Sequence, residues 1–202
     1  MSRKPETISF WTGRLPHWEV VDGRYFVTIH LAGAIPVQGQ NRIRVLAAEL
    51  DRIPRDQIDN RRNQQRLIFS QLEDWLDRAE HVSHLQVPKV AKVVTEAIAH
   101  RQGQQWNMLQ YVVMPSHIHL FFELVGGGLK HVLEQFKRWT GHEAGKLLKL
   151  DGDRFWQDEW FDHWSRSDEE DLRIIEYIRR NPEKAKLVLN YLTWPYGTWS
   201  QK

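Results

Sequence analysis

His117, Ile118 and His119 form an H-x-H triplet at the start of HIHLFFELV, 117–125. The run is apolar, aromatic and β-branched, so it reads as a strand. Side chains alternate across a strand, which puts His117 and His119 on one face and Ile118, Leu120 and Phe122 on the other. Two imidazoles so placed can chelate one divalent metal. They can equally be satisfied histidines in a sheet, and the triplet alone does not separate the two. A second pair, Tyr177 and Asn181, has the i, i+4 spacing that places both on one face of a helix, a turn apart. A tyrosine hydroxyl can form a covalent phosphoester, and an asparagine carbonyl is a hard-metal ligand. Each has a plainer reading. Tyr177 could be a core residue with its hydroxyl bonded. Asn181 precedes Pro182, the pattern of an N-cap for a last helix reaching about 191.

The elements that must position these residues are legible in outline. Residues 1–22 read as an irregular arm. RYFVTIHL (24–31) reads as a strand ended by Gly33 and Pro36. Pro88 opens a helix to about 101 with an apolar stripe of Val90, Ala91, Val94, Ala97 and Ile98. WNMLQYVVM (106–114) and the histidine run form a hairpin around Pro115 and Ser116. A locally basic helix follows at about 129–149. RFWQDEWFDHW (154–164) reads as one aromatic strand or two short ones. Ser167 and Glu170 make a capping box for a helix at 167–180, and WPYGTW (194–199) is a tail. The order strand, helix, strand, strand, helix, strand predicts a ferredoxin-like α+β fold, an antiparallel sheet with helices on one face.

Residues 37–85 have a different character. Arg42, Arg44, Arg52, Arg55, Arg61, Arg62, Arg66 and Arg78 are balanced by acids, and LIFSQLEDWLDRAEH (67–81) carries apolar positions at helical period. The segment reads as a peripheral helical insertion in a single domain of 1–202, too thinly apolar for a core of its own.

Composition excludes several classes. The chain of 202 residues has no cysteine, so disulfides and thiolate metal sites are absent. No apolar run is long enough for a signal peptide or a membrane span, and a cytoplasmic location is expected. The net charge of +2 says little about a nucleic-acid partner, whereas ten tryptophans allow either packing or stacking on unpaired bases.

Two linked segments carry a family resemblance. YVVMPSHIHLFFEL (111–124) resembles the HUH strand of tyrosine transposases. FWQDEWFDHWSRSDEEDLRIIEYIRRNPEKAKLV (155–188) resembles the C-terminal half of the REP-associated tyrosine transposases of bacteria. GRYFVTIHL (23–31) is similar to the family's first strand, and the WPYG tail also fits. The likeness covers most of 23–36 and 86–199. Ser116 stands where the family commonly has Asn, and 37–85 is longer than the usual connection.

The resemblance implies an HUH endonuclease fold acting on single-stranded or hairpin DNA at REP-like sequences, with the protein working as a monomer. It implies Mg²⁺ or Mn²⁺ on His117, His119 and Asn181. Tyr177 would be the nucleophile that leaves a 5′-phosphotyrosine link, reversible by a 3′-hydroxyl. Free tyrosine titrates near pH 10, and the sequence does not name the group that deprotonates it. Lys137, Arg138, Arg179 and Arg180 are the phosphate-contact candidates, and Trp156, Trp160 and Trp164 the stacking candidates. His163 and Arg166 fall in a recurrent family segment without an assigned role. The alternatives are a hairpin-binding module without turnover, and a metal-dependent phosphodiesterase that uses water.

Overall fold

A computed structural model describes residues 3, 6–12, 15–79 and 81–200. The main sheet has four strands, β3 (Arg24–His30), β4 (Trp106–Val113), β5 (His117–Leu124) and β6 (Phe161–Trp164). Their order is β4-β5-β3-β6, and every neighbouring pair is antiparallel. Among the described residues five α-helices accompany them: α1 (Val37–Arg52), α2 (Ile58–Leu76), α3 (Pro88–His100), α4 (Leu129–Leu148) and α5 (Asp168–Lys184). This strand order with α3 and α4 as crossovers is the split β-α-β arrangement.

Strand alternation builds two unlike faces. Tyr25, Val27 and Ile29 of β3 sit opposite Phe122, Leu120 and Ile118 of β5 and form an apolar face. Helices α3 and α4 cover it. Phe136 of α4 meets Trp106 edge-on, and the Trp106 indole N–H donates to the Ile98 carbonyl of α3. Phe26, Thr28 and His30 sit opposite Phe121, His119 and His117 on the other face. Helices α5 and α2 lie over that face. The one-sided helix layer expected from the sequence therefore describes α3 and α4, while a second layer covers the histidines.

Two expectations are corrected. Residues 7–12 and 16–20 are not irregular: β1 (Thr7–Thr12) and β2 (Pro16–Val20) pair as antiparallel strands. The pair is tied to the sheet by the Tyr25 hydroxyl, which accepts from the Val20 N–H at 2.7 Å. A Glu19 carboxylate oxygen accepts from the Leu129 N–H at 3.0 Å and caps α4. The rest of the arm includes positions outside the described residues. The segment with α1 and α2 is also not peripheral. Ile43, Leu46, Leu50, Ile68, Leu72 and Leu76 are buried in the same core as the sheet. A Cβ on Gly39 would lie 2.8 Å from the Trp75 ring, so α1 approaches this close because that position has no side chain.

Helix α5 starts as the sequence indicates, with the Ser167 hydroxyl accepting from the Glu170 N–H at 3.2 Å. It does not stop at Asn181. It runs through Pro182 to Lys184, and two short 3-10 turns, Tyr191–Thr193 and Thr198–Ser200, replace the expected last helix. Pro182 lies inside α5 and lacks the N–H for a bond to the preceding turn, and the helix ends two residues later. The tail then runs along the open edge of β4. The Val113 N–H donates to the Tyr196 carbonyl at 2.8 Å, and the Tyr111 N–H to the Thr198 hydroxyl at 2.7 Å. Among the described residues no helix is long and apolar enough to cross a membrane.

Candidate active site

The histidine face of the sheet, α5 and α2 converge on one point. His117 and His119 stand side by side on β5 with ring centroids 4.7 Å apart. Each is oriented through its Nδ1. The Ser116 hydroxyl lies 3.0 Å from His117 Nδ1, and the Thr28 hydroxyl 2.9 Å from His119 Nδ1. Engaging Nδ1 fixes the ring and turns both Nε2 atoms toward the same space, as supporting groups do in metal sites. Ser116 thus does more than shape the turn.

Asn181 faces the histidines because α5 continues past it. Its side chain is buried, and Nδ2 lies 3.3 Å from His119 Nε2. It caps nothing, so the competing N-cap reading is removed. The Tyr177 ring, one turn earlier, packs edge-on against Phe26 and at 5.5 Å from His119. Its hydroxyl donates to Oε2 of Glu73.

Glu73 belongs to α2, a segment the sequence reading left without a role. Its carboxylate is buried, and Oε1 lies 3.7 Å from His119 Nε2. A signal for it existed. Glu73 sits one helical turn from Phe69 and Leu76, on a stripe that otherwise buries apolar side chains, where an unpaired acid is out of place.

Electrostatics keep the two histidines in their ligating form. Burial lowers the His117 pKa to about 3, aided by the nearby His30 and Lys184. Burial and the neighbouring His117 push His119 far down as well. Both rings are therefore neutral at pH 7, with a lone pair on Nε2, and the approach of Glu73 to His119 is not an ion pair. Burial raises the Glu73 carboxyl to about 7 despite the hydrogen bond from Tyr177. The Tyr177 hydroxyl is pushed well above its ordinary range by burial and then by the Glu73 charge.

The donor set fits a divalent metal. Glu73, His117 and His119 offer ligand atoms all within 4.8 Å of one another. Glu73 Oε1, His117 Nε2 and Asn181 Oδ1 are buried without a hydrogen-bond partner. Buried acceptors are ordinarily satisfied, and three orphans around one point are what an absent cation would leave. Nitrogen and oxygen donors of this kind suit Mg²⁺, Mn²⁺ or Zn²⁺.

The other sequence candidates lie apart. Trp156 and Trp160 are buried, with their N–H groups donating to the Thr140 hydroxyl and the Asp162 carboxylate. The Trp160 face is covered by the Lys137 ammonium, and the Trp164 face by the Arg166 guanidinium. As placed, the buried Trp156 and Trp160 offer no open ring to a base. Lys137 donates to the Asp158 carbonyl, and Arg180 is engaged by Glu176 and Glu183. Arg138 is exposed and Arg179 half-buried; neither is paired with an acid among the described residues.

No protein-family model matches the sequence, and a search of curated proteins finds no match. Among solved structures, the chain is similar to the REP-associated tyrosine transposase bound to a REP hairpin. The TM-score is 0.59 at 17% identity, over 93% of this chain and 83% of that one. What the likeness establishes is the architecture: this α+β chain shares the fold of that solved structure, and it carries a buried cluster of one glutamate and two histidines against its sheet.

Proposed function

We propose that the chain is a metal-dependent single-strand DNA endonuclease and strand transferase. It acts at hairpin-associated, REP-like sequences through a 5′-phosphotyrosine intermediate. The observation that carries the reading is the convergence of Tyr177, Glu73, Asn181, His117 and His119, with three acceptor atoms left unbonded. The solved neighbour was bound to a REP hairpin, which supports DNA as the partner here.

His117, His119, Asn181 and Oε1 of Glu73 would hold the divalent ion, Mg²⁺ or Mn²⁺. When bound, it supplies charge stabilisation at a non-bridging phosphate oxygen. The protein's own groups do the rest. The Tyr177 oxygen attacks phosphorus as the phenolic proton passes to Oε2 of Glu73, which already accepts its hydrogen bond; the bond from phosphorus to the 3′ oxygen breaks, and that oxygen leaves as a 3′-hydroxyl with a proton taken from water. The link conserves the phosphoester, so a strand's free 3′-hydroxyl reverses the step. The two oxygens of one carboxylate thus serve the metal and the nucleophile separately. Arg138 and Arg179 are the phosphate contacts in this reading, joined by Lys137 and Arg180 where DNA displaces their present partners, while Trp156 and Trp160 serve as packing residues.

The cluster of Glu73 with two histidines also suits a phosphodiesterase that activates water. One experiment separates the readings. The protein is incubated with single-stranded hairpin DNA and Mn²⁺ and run on a denaturing gel. A protein–DNA adduct that maps to Tyr177 is the expected result. Cleavage without an adduct would establish the water mechanism instead, and binding without cleavage a module that lacks turnover.

A further inference from the structure

Beside the nucleophile, α2 and α5 enclose a cleft of about 650 Å³. That volume is in the range of small-molecule sites. Its walls are of two kinds. The floor is aromatic: Phe69 lies 5.3 Å from Phe26 and 5.0 Å from Phe161, ring to ring, and Tyr177 closes one end at 5.6 Å from Phe69. The rim is cationic, with Arg62 and Arg66 from α2, Arg173 from α5 and Arg166 from the loop before it.

This rim is under-neutralised. Glu170 is the acid lining the cleft, and its two oxygens are engaged by His163 and by the Arg166 backbone N–H. Arg66, Arg166 and Arg173 have no acid within ion-pair distance among the described residues, and Arg62 has an exposed contact to Asp59 at 3.5 Å. Burial lowers the Arg166 pKa to about 10, and the positive charge of Arg62 pushes the same way against Glu170. Like charges gathered around a cavity without counter-ions are stable when an anion is meant to lie among them.

We propose that this cleft is a nucleotide subsite for the single strand next to the cleaved phosphate. One base lies against Phe69, and the adjoining phosphates lie on Arg62, Arg66 and Arg173. Aromatic faces take any base, and guanidinium groups bind phosphate in a two-pronged manner. The subsite opens directly onto Tyr177, so a nucleotide held there brings its neighbouring phosphate to the hydroxyl. It is shared by α2 and α5, so α2 contributes both Glu73 and a wall of the DNA channel. The inference rests on the proposed single-strand chemistry, and its test does not require turnover.

The probe is fluorescently labelled oligothymidylate of about ten nucleotides, compared with an abasic strand of the same length. Binding is measured by anisotropy across a salt series. The double variant Arg62→Ala, Arg66→Ala changes exposed or half-exposed side chains and should keep the fold. It should weaken binding of both strands and reduce the salt slope by roughly 0.7 per lost contact. The wild type should prefer the thymidine strand over the abasic one by roughly five- to 100-fold. Phe69→Ala should lose that preference, while Phe69→Trp should retain it and guard against a folding artefact. Unchanged salt slope in the arginine variant, or unchanged base preference in Phe69→Ala, overturns the subsite. The adduct assay on the wild type runs in parallel. If these dependences hold where no tyrosine adduct forms, the subsite stands and the catalytic reading fails. If the adduct forms and the dependences are absent, the subsite fails alone.

Discussion

The hydroxyl of Tyr177 donates its hydrogen bond to Glu73, a residue 104 positions earlier in the chain. This contact joins the α1–α2 segment to α5 and, under the proposed function, would supply the proton acceptor that the sequence does not name. Phenol and carboxylate are both withdrawn from water, so the bond is stronger than the same pair would be at a surface.

Tyr177→Phe should abolish the covalent adduct and strand cleavage while hairpin binding persists, since the ring and the backbone are retained. Removing the hydroxyl leaves a buried carboxylate short of a donor, so a stability loss of about 1–3 kcal/mol is expected as well. Denaturant unfolding and the denaturing gel read the two effects separately. An adduct surviving in this variant would move the nucleophile elsewhere, with Tyr191 and Tyr196 next to test.

Glu73→Gln keeps the shape of the side chain and removes its basicity. Adduct formation should slow by roughly 10²- to 10⁴-fold, the usual contribution of a positioned base, with the far-ultraviolet circular dichroism spectrum unchanged. Wild-type rates in the glutamine variant would leave Glu73 as a structural partner of Tyr177 and nothing more.

The metal assignment is checked without catalysis. Mn²⁺ at about a hundred times its dissociation constant should stabilise the wild type by about 3 kcal/mol. The double variant His117→Ala, His119→Ala should show no metal-dependent rise in Tm. A rise equal to that of the wild type would place the ion at another site.

The α1–α2 segment should contribute strongly to stability. Leu72→Ala empties a fully packed position in the common core and should cost about 2–5 kcal/mol. Excising residues 40–80 with a short linker should give a chain that melts well below the full-length protein. A truncated protein with an unchanged Tm would contradict the packing described above.

His17 gives a pH dependence remote from the metal cluster. Burial opposes its charge, yet the carboxylates of Asp162 and Glu159 outweigh that and raise its pKa to about 9. A folded pKa above the unfolded value of about 6.5 contributes stability that is complete below pH 6.5 and is lost as pH rises through 9. The contribution is on the order of 3 kcal/mol. Lys137, lowered to about 8 by burial, acts in the opposite sense at higher pH. The difference between the wild type and His17→Gln therefore isolates the histidine. It should shrink steadily from pH 6.5 to 9, and a flat difference would show that His17 is neutral in the fold.

The sequence carried the sheet and the crossover helices well. Their signals are local: alternation in 24–31 and 117–125, Pro88 at a first helical position, and a serine cap at 167. What it carried poorly depends on docking. Asn181 was ambiguous because a proline follows it, and α5 persisting past Pro182 decides between cap and ligand. Glu73 stood among balanced charges that read as solvated surface, and its burial depends on how α2 lies across a strand face far away in sequence. The β1–β2 pairing was hidden by Gly13 and Pro16, which read as breakers in so short a stretch. Trp156 and Trp160 could be read for packing or for stacking, and their internal hydrogen bonds are fixed by tertiary neighbours.

Because Glu73 is carried on α2, a molecule with that helix undocked would still present both histidines and Asn181, but it would lack the proton acceptor and one wall of the cleft. Local opening of a helix pair has its own free energy, smaller than that of global unfolding. Turnover would then scale with the docked population, and any condition that frays α1 and α2 would dim the chemistry before it weakens DNA capture by the rest of the surface.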